Sequence, residues 1–261
     1  MTLASCDSRK TAGENPFFTE WDTPHGVPPF DKILPEHFMP AFERGMSLHE
    51  AEIDAITSNK DEATFENTIL AYDNAGQMLA QTELVFGMLC AAETNDRMQA
   101  LQEQAMPLLA AHRDKIRLDD KLFVRVKEVY DRRAALGLDA EQMRLLQKTY
   151  DSFVRAGALL DAEQKARLKE INGQLSLTAV KFGNNILAEN NNFVLELKSD
   201  ELDGLPAGIR DAAREKAQQM GKGDKWVFTL HKPSLIPLLT YSTRRDLREK
   251  IYKAYLNRCN N

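Results

Sequence analysis

The pentapeptide Leu-Asp-Ala-Glu-Gln occurs at residues 138–142 and again at 160–164. In each copy an aspartate, Asp139 or Asp161, stands where its carboxylate can accept the free amides that open a helix. A glutamine, Gln142 or Gln164, follows three residues later, within reach of the aspartate's own amide. The flanking residues do not match, so the two copies are two helix starts with one local solution, not an internal repeat. They place helices at about 140–157 and 162–188, the second ended by Asn190-Asn191-Asn192, whose side chains compete for backbone hydrogen bonds. Those two helices set the class as mainly α.

The same reading extends outward in both directions. Phe38, Phe42, Met46, Ile53 and Ile56 recur close to helical spacing and give a helix over about 35–58. Thr64 caps a second helix, with Glu66 in its first turn, that runs to about Ala92. Its apolar content (Phe65, Ile69, Met78, Leu79, Leu84, Val85, Phe86, Met88, Leu89) is that of a helix buried on more than one side. Its longest apolar stretch, Leu84 to Ala92, is half of the ~18 residues that cross a bilayer, so no transmembrane segment is expected. Asp96 caps a third helix with a candidate kink at Pro107. Asp119 starts a fourth with Leu122, Val126 and Val129 on one stripe.

Toward the C-terminus, Phe193–Leu197 and Trp226–Leu230 have strand composition, with a helix over about 206–220 between them and Gly221 as its stop. Lys232-Pro233 breaks the second strand. A last helix after Ser242 carries Leu247, Ile251 and Tyr255; it has no stop signal and reads as a helix cut within a larger fold. Residues 15–34 hold Pro16, Phe17, Phe18, Trp21, Pro24, Pro28, Pro29 and Phe30, an extended arm laid across a helical body. The expected organisation is a flexible tail over 1–14, the arm over 15–34, a helical body over 35–190 and a small α+β segment over 191–261.

The 34 basic residues are outnumbered by 39 acidic ones, a net charge of −5, which argues against nucleic acid as a partner. Arg132-Arg133 and Arg244-Arg245 read as solvated helix faces. Cys6, Cys90 and Cys259 lie far apart without zinc or redox spacing; Cys90 reads as a core thiol and Cys259 as an exposed one. Leu3-Ala4-Ser5-Cys6 has the form of a bacterial lipoprotein processing site, although the basic and apolar stretch such signals require does not precede it. If Cys6 is lipidated, residues 7–15 form a tether and the chain belongs to the cell envelope or periplasm; otherwise it is cytoplasmic.

Chemistry is sparse in the sequence. A zinc helix needs two histidines four apart, but His49-Glu50 is followed by Ile at 53, so that pair reads as a surface feature of the first helix. His25, His37, His112 and His231 share no ligand spacing with one another. No phosphate-binding glycine loop and no Gly-x-Ser-x-Gly elbow occurs. No catalytic, cofactor-binding or metal-ligating residue is assigned.

Three ordered segments carry a resemblance: Pro29-Phe30-Asp31-Lys32-Ile33, then Glu36-His37-Phe38-Met39-Pro40-Ala41-Phe42, then Thr64-Phe65-Glu66-Asn67-Thr68-Ile69. With Trp226–Leu230, Pro233-Ser234, Leu238–Tyr241 and Arg248–Tyr255, they make residues 16–261 similar to the N-terminal lobe of the thimet oligopeptidase family. Asn15-Pro16-Phe17-Phe18 leans toward its dipeptidyl carboxypeptidase branch. The resemblance implies a multi-helix lobe of a zinc-dependent oligopeptidase or peptidyl-dipeptidase, whose two lobes enclose a channel for short peptides. It implies zinc in the complete enzyme and none on this chain, because the family's zinc helix and substrate-binding residues follow the matched region. The partners implied are short peptides and a C-terminal catalytic lobe. The chain by itself is then expected to be inactive and to expose a large apolar surface. The competing expectation is a stand-alone, non-catalytic helical module that binds peptides.

Overall fold

The computed structural model describes residues 14–260, so Cys6 and residues 7–13 of the expected tether lie outside the described residues. The chain divides into two compact units, one ending at Leu177 and the other beginning at Thr178.

The first unit opens with the arm, which is less extended than expected. Asn15 caps a 3₁₀ turn at Pro16–Phe18 by accepting the Phe17 amide, and its own amide donates to the His37 carbonyl at 2.9 Å. A second 3₁₀ turn follows at Pro24–Gly26. The prolines forbid longer helices here, and the aromatics find a core instead. The Phe17 ring lies 5.3 Å from that of Phe38, and the Trp21 indole N–H donates to the Pro16 carbonyl at 2.8 Å.

Helix α1 (Phe38–Ser58) is preceded by a 3₁₀ turn at Pro35–His37. Thr64 then caps as expected: its hydroxyl accepts the Asn67 amide while Asn67 Oδ1 accepts that of Thr64. The helix it opens starts as a π turn, Phe65–Leu70, continues as α2 (Ala71–Asp73) and stops. The single helix expected to reach Ala92 is therefore two. Gly76 sits in the left-handed region at φ +74, and α3 (Gln77–Ala92) begins after it. Nor is α3 buried on several sides. Leu79, Thr82, Val85 and Phe86 face the core, whereas Leu84 and Met88 are 66% and 50% exposed. Gly45 of α1 lets the two helices close together, since a Cβ there would lie 3.0 Å from the Leu79 Cα.

Helix α4 (Asp96–Arg117) is capped by Asn95, not Asp96, and continues through Pro107. Helix α5 (Asp120–Asp131) starts at the Asp119 cap, and Leu122, Val126 and Val129 are wholly buried as a stripe. Both aspartate–glutamine boxes form. Asp139 opens α6 (Ala140–Arg155) and Asp161 opens α7 (Ala162–Asn192), which runs on through the asparagine triplet expected to end it.

Two apolar clusters fill this unit. One joins the arm to α1, α3 and α4 around Phe38, Phe42, Phe86 and Leu109. The other joins α1, the π turn, α5 and α6 around Ile69, Leu122, Leu146 and Phe153. Each such side chain contributes about 1.5–3 kcal/mol on full burial. Buried Arg125 ties the second cluster down, donating to the carbonyls of Asn59 (2.8 Å) and Asp61 (3.1 Å) and to Asn67 Oδ1 (3.1 Å).

The second unit holds the small β element. Strands β1 (Leu195–Leu197) and β2 (Trp226–Phe228) pair antiparallel in the register Leu195–Phe228, Glu196–Val227, Leu197–Trp226. Both are shorter than expected. Helix α8 (Ala207–Gln219) lies between them in sequence, and Arg214 stacks 4.8 Å over the Trp226 ring. Lys232-Pro233 does end the strand, but it also starts a helix the sequence reading missed, α9 (Lys232–Tyr241), because proline is at home in a first turn. Helix α10 (Arg245–Leu256) stops at an Asn257 cap, contrary to the open helix expected. Arg258 stacks 3.7 Å over Tyr255 and donates to Asn190 Oδ1 at 2.9 Å, closing that end. Leu197, Phe228, Leu238 and Ile251 centre the core of this unit.

Candidate functional site

Titratable side chains converge in the first unit where α1, α3 and α4 meet. His49 and Glu50 come from α1, His112 and Lys115 from α4, and Glu83 from α3. His112 Nε2 lies 3.0 Å from His49 Nδ1, and the ring centroids are 5.1 Å apart, so the two nitrogens meet nearly head-on. His112 Nδ1 faces Glu50 Oε1 at 3.5 Å, and Lys115 Nζ lies 2.8 Å from the other Glu50 oxygen.

Electrostatics assigns the protons. The Glu50 carboxylate 3.5 Å from His112 Nδ1 favours the tautomer protonated there, in which Nε2 accepts the His49 Nδ1–H. The order is thus Glu50, His112, His49, and the free lone pair falls on His49 Nε2. Burial pushes both imidazoles below the ordinary histidine value, and the charge of His112 adds to this at His49. The hydrogen bond from Lys115 holds the Glu50 carboxyl below the carboxylate range. His49 and His112 also line a pocket of about 190 Å³ with Tyr72, Glu83, Arg113 and Arg117. His112 Nδ1 makes no hydrogen bond, so α1 and α4 are linked here by the His49–His112 contact and the Glu50–Lys115 pair.

The sequence reading of His49-Glu50 as a surface pair is corrected by this geometry. His112 is 5% exposed and its partner on α1 is 63 residues away, a separation with no local signature. The other histidines do not join the cluster. His37 is buried and its Nδ1 accepts the Leu34 amide at 3.1 Å, a structural role. His25 is exposed in the arm, and His231 precedes α9 with its Nδ1 3.2 Å from Thr229 Oγ1.

Cys90 packs beside the aromatic cluster, and burial pushes its thiol up. Cys259 is partly buried rather than simply exposed: its amide donates to Glu189 and its thiol to the Phe182 carbonyl at 3.6 Å. Arg132 is not merely solvated either, since it pairs with Glu62 and donates to the Ala63 carbonyl, while Arg133 stacks 4.0 Å over Tyr130. Arg244 makes a two-pronged pair with Asp246.

The second unit contains a separate cavity of about 390 Å³ between α8, β2 and the start of α9. Val227 and Phe228 form part of its wall, and Lys216, Thr229, His231 and Ser234 supply its polar groups.

Among the described residues no group of three or more His, Cys, Asp and Glu side chains could hold a metal ion, and no helix is long and apolar enough to cross a membrane. No family model matches the chain. Individual proteins do. Over 92% of its length the chain is 37% identical to dipeptidyl carboxypeptidase of Escherichia coli K12, covering 35% of that protein. It is 34% identical to the Salmonella typhimurium dipeptidyl carboxypeptidase with the same coverage. It is 26% identical to Escherichia coli oligopeptidase A over 90% of this chain and 35% of the relative. The chain is homologous to these peptidases and spans about a third of their length.

Proposed function

We propose that this chain is a substrate-channel-forming part of a zinc-dependent oligopeptidase or peptidyl-dipeptidase that hydrolyses short peptides, and that it has no catalysis of its own. The homology to about a third of dipeptidyl carboxypeptidase carries the reading. The His49–His112 pair does not hold zinc between its rings, because His49 Nδ1 and His112 Nε2 are engaged with each other at 3.0 Å and only His49 Nε2 is left with a free lone pair. The metal and its catalytic glutamate belong, in this reading, to the remaining part of the enzyme.

The contribution of this chain is shape. Helices stacked on continuous apolar clusters make a stiff wall. Leu84 and Met88 on α3 give that wall an apolar ridge suited to packing against further protein. Short peptides can pass such a wall and folded proteins cannot.

The test is to incubate the purified chain with zinc and a set of short peptides and to follow products by mass spectrometry. The assay is then repeated after co-expression with the remaining two-thirds of the Escherichia coli dipeptidyl carboxypeptidase. The chain alone should leave every peptide intact, and the co-expressed pair should release dipeptides. Zinc-dependent cleavage by the chain alone would overturn the proposal. Tight peptide binding without any gain on co-expression would favour the stand-alone binding module.

A further inference from the structure

The cavity of the second unit has a composition that selects a ligand. On α8, the small side chains of Ala212 and Ala213 open the space, and the accessible apolar lining is Ile209, Ala212 and Pro233 above the buried strand β2. Its polar groups are a lysine, a serine, a threonine and a histidine. Ser234 Oγ accepts the Thr229 amide at 3.0 Å, so its single proton is left to donate elsewhere. Lys216 adds an ammonium at the rim, and His231 and the buried Thr229 hydroxyl are bonded to each other at 3.2 Å. Among the described residues lining the cavity, none is an aspartate or glutamate. A cation and a free hydroxyl donor facing an apolar wall, with no carboxylate to neutralise them, complement an anion that carries an apolar group. The volume of about 390 Å³ lies at the small end of ligand sites.

We infer that this cavity binds a carboxylate joined to a compact apolar group, the chemistry shared by the C-terminal residue of a short apolar peptide and by a short fatty acid. Lys216 and the Ser234 hydroxyl take the carboxylate, and the apolar group rests on Ile209 and Pro233. The inference stands on the cavity itself and does not depend on the peptidase reading.

The experiment titrates N-acetyl-leucine, its uncharged amide, and hexanoate into the full chain, following backbone amide shifts by NMR. Saturable shifts centred on residues 227–234 are expected for at least one of the two acids. The amide should bind about tenfold or more weakly, the loss of one charge-assisted hydrogen bond. Lys216→Gln, at an exposed position that leaves the core intact, should weaken the acid about tenfold and leave the amide unchanged. Ala212→Leu should fill the space and abolish binding of both acids. Tighter binding of N-acetyl-leucine assigns the site to peptide termini; tighter binding of hexanoate assigns it to free acyl chains. Absence of saturable binding by either acid, equal binding of acid and amide, or an unchanged affinity in Lys216→Gln would overturn the inference.

Discussion

Replacing Gly76 by alanine tests whether the α2–α3 turn and the histidine pair are one mechanical unit. Gly76 has φ +74, and a Cβ there would fall 2.8 Å from His49 Nδ1 and 2.9 Å from its Cε1 and Cγ. Its amide is also committed, donating to Glu52 Oε2 at 2.7 Å. Two costs add. The left-handed conformation costs an alanine about 1 kcal/mol. The imidazole must then swing away, which breaks its bond to buried His112 and leaves that acceptor unsatisfied, a further cost of about 1–3 kcal/mol. The sum is about 2–4 kcal/mol, read as a lower urea midpoint at unchanged slope by circular dichroism. Gly137 is the internal control: its φ is +64 and nothing lies within 4 Å of a Cβ built there. Gly137→Ala should cost only the conformational part, about 1 kcal/mol. In a His49→Ala background the obstructing ring is gone, and Gly76→Ala should also cost only about 1 kcal/mol. If Gly76→Ala is no worse than Gly137→Ala in the wild-type background, the turn does not rest on His49 and the coupling argument fails.

Three other outcomes follow from the geometry. Both imidazoles titrate below the usual histidine value in the folded chain, so the unfolded chain binds more protons as pH drops. The stabilisation from neutral rings is complete above about pH 6.5 and is lost below it. Glu50, Glu52 and Glu83 oppose this shift while Arg113 and Lys115 reinforce it; urea midpoints at pH 5.0 and 7.5 should differ, and His112→Gln should narrow the difference. Asp161→Ala removes one half of a reciprocal cap and should cost about 1 kcal/mol by thermal unfolding. Arg125→Met keeps an apolar stem but deserts the carbonyls of Asn59 and Asp61 and the side chain of Asn67, for a loss of about 2–3 kcal/mol in the same assay.

Elements whose determinants are local were legible in the sequence. Asp119, Asp139, Asp161 and Thr64 all cap where their own neighbours said they would, because a cap and its amides lie within four residues. The break at Gly76 has a local signal, a glycine in the left-handed region just past a helix end, but the apolar run that continues beyond it masks that stop. In the sequence Lys232-Pro233 reads as an end, and in the structure it is also a beginning; proline stops a strand and starts a helix by the same missing amide. The apolar run of α3 suggested burial on several sides, yet Leu84 and Met88 face outward, and composition alone does not say which face a neighbour covers. The histidine chain was hidden for a further reason: His49 and His112 each look ordinary in their own helix, and only the packing of α1 on α4 gives them a meaning.

The placement of the indoles has a practical consequence. The chain has two tryptophans: Trp21 lies in the first compact unit and Trp226 in the second. Trp21 is tethered through its ring N–H to Pro16, and Trp226 lies beneath the Arg214 guanidinium. Each unit therefore carries its own intrinsic fluorophore in a different electrostatic setting. Trp21→Phe leaves emission that follows only the β-containing unit, and Trp226→Phe leaves emission that follows only the helical one. Two single-substitution proteins and one spectrometer then suffice to ask whether the halves melt together or in turn.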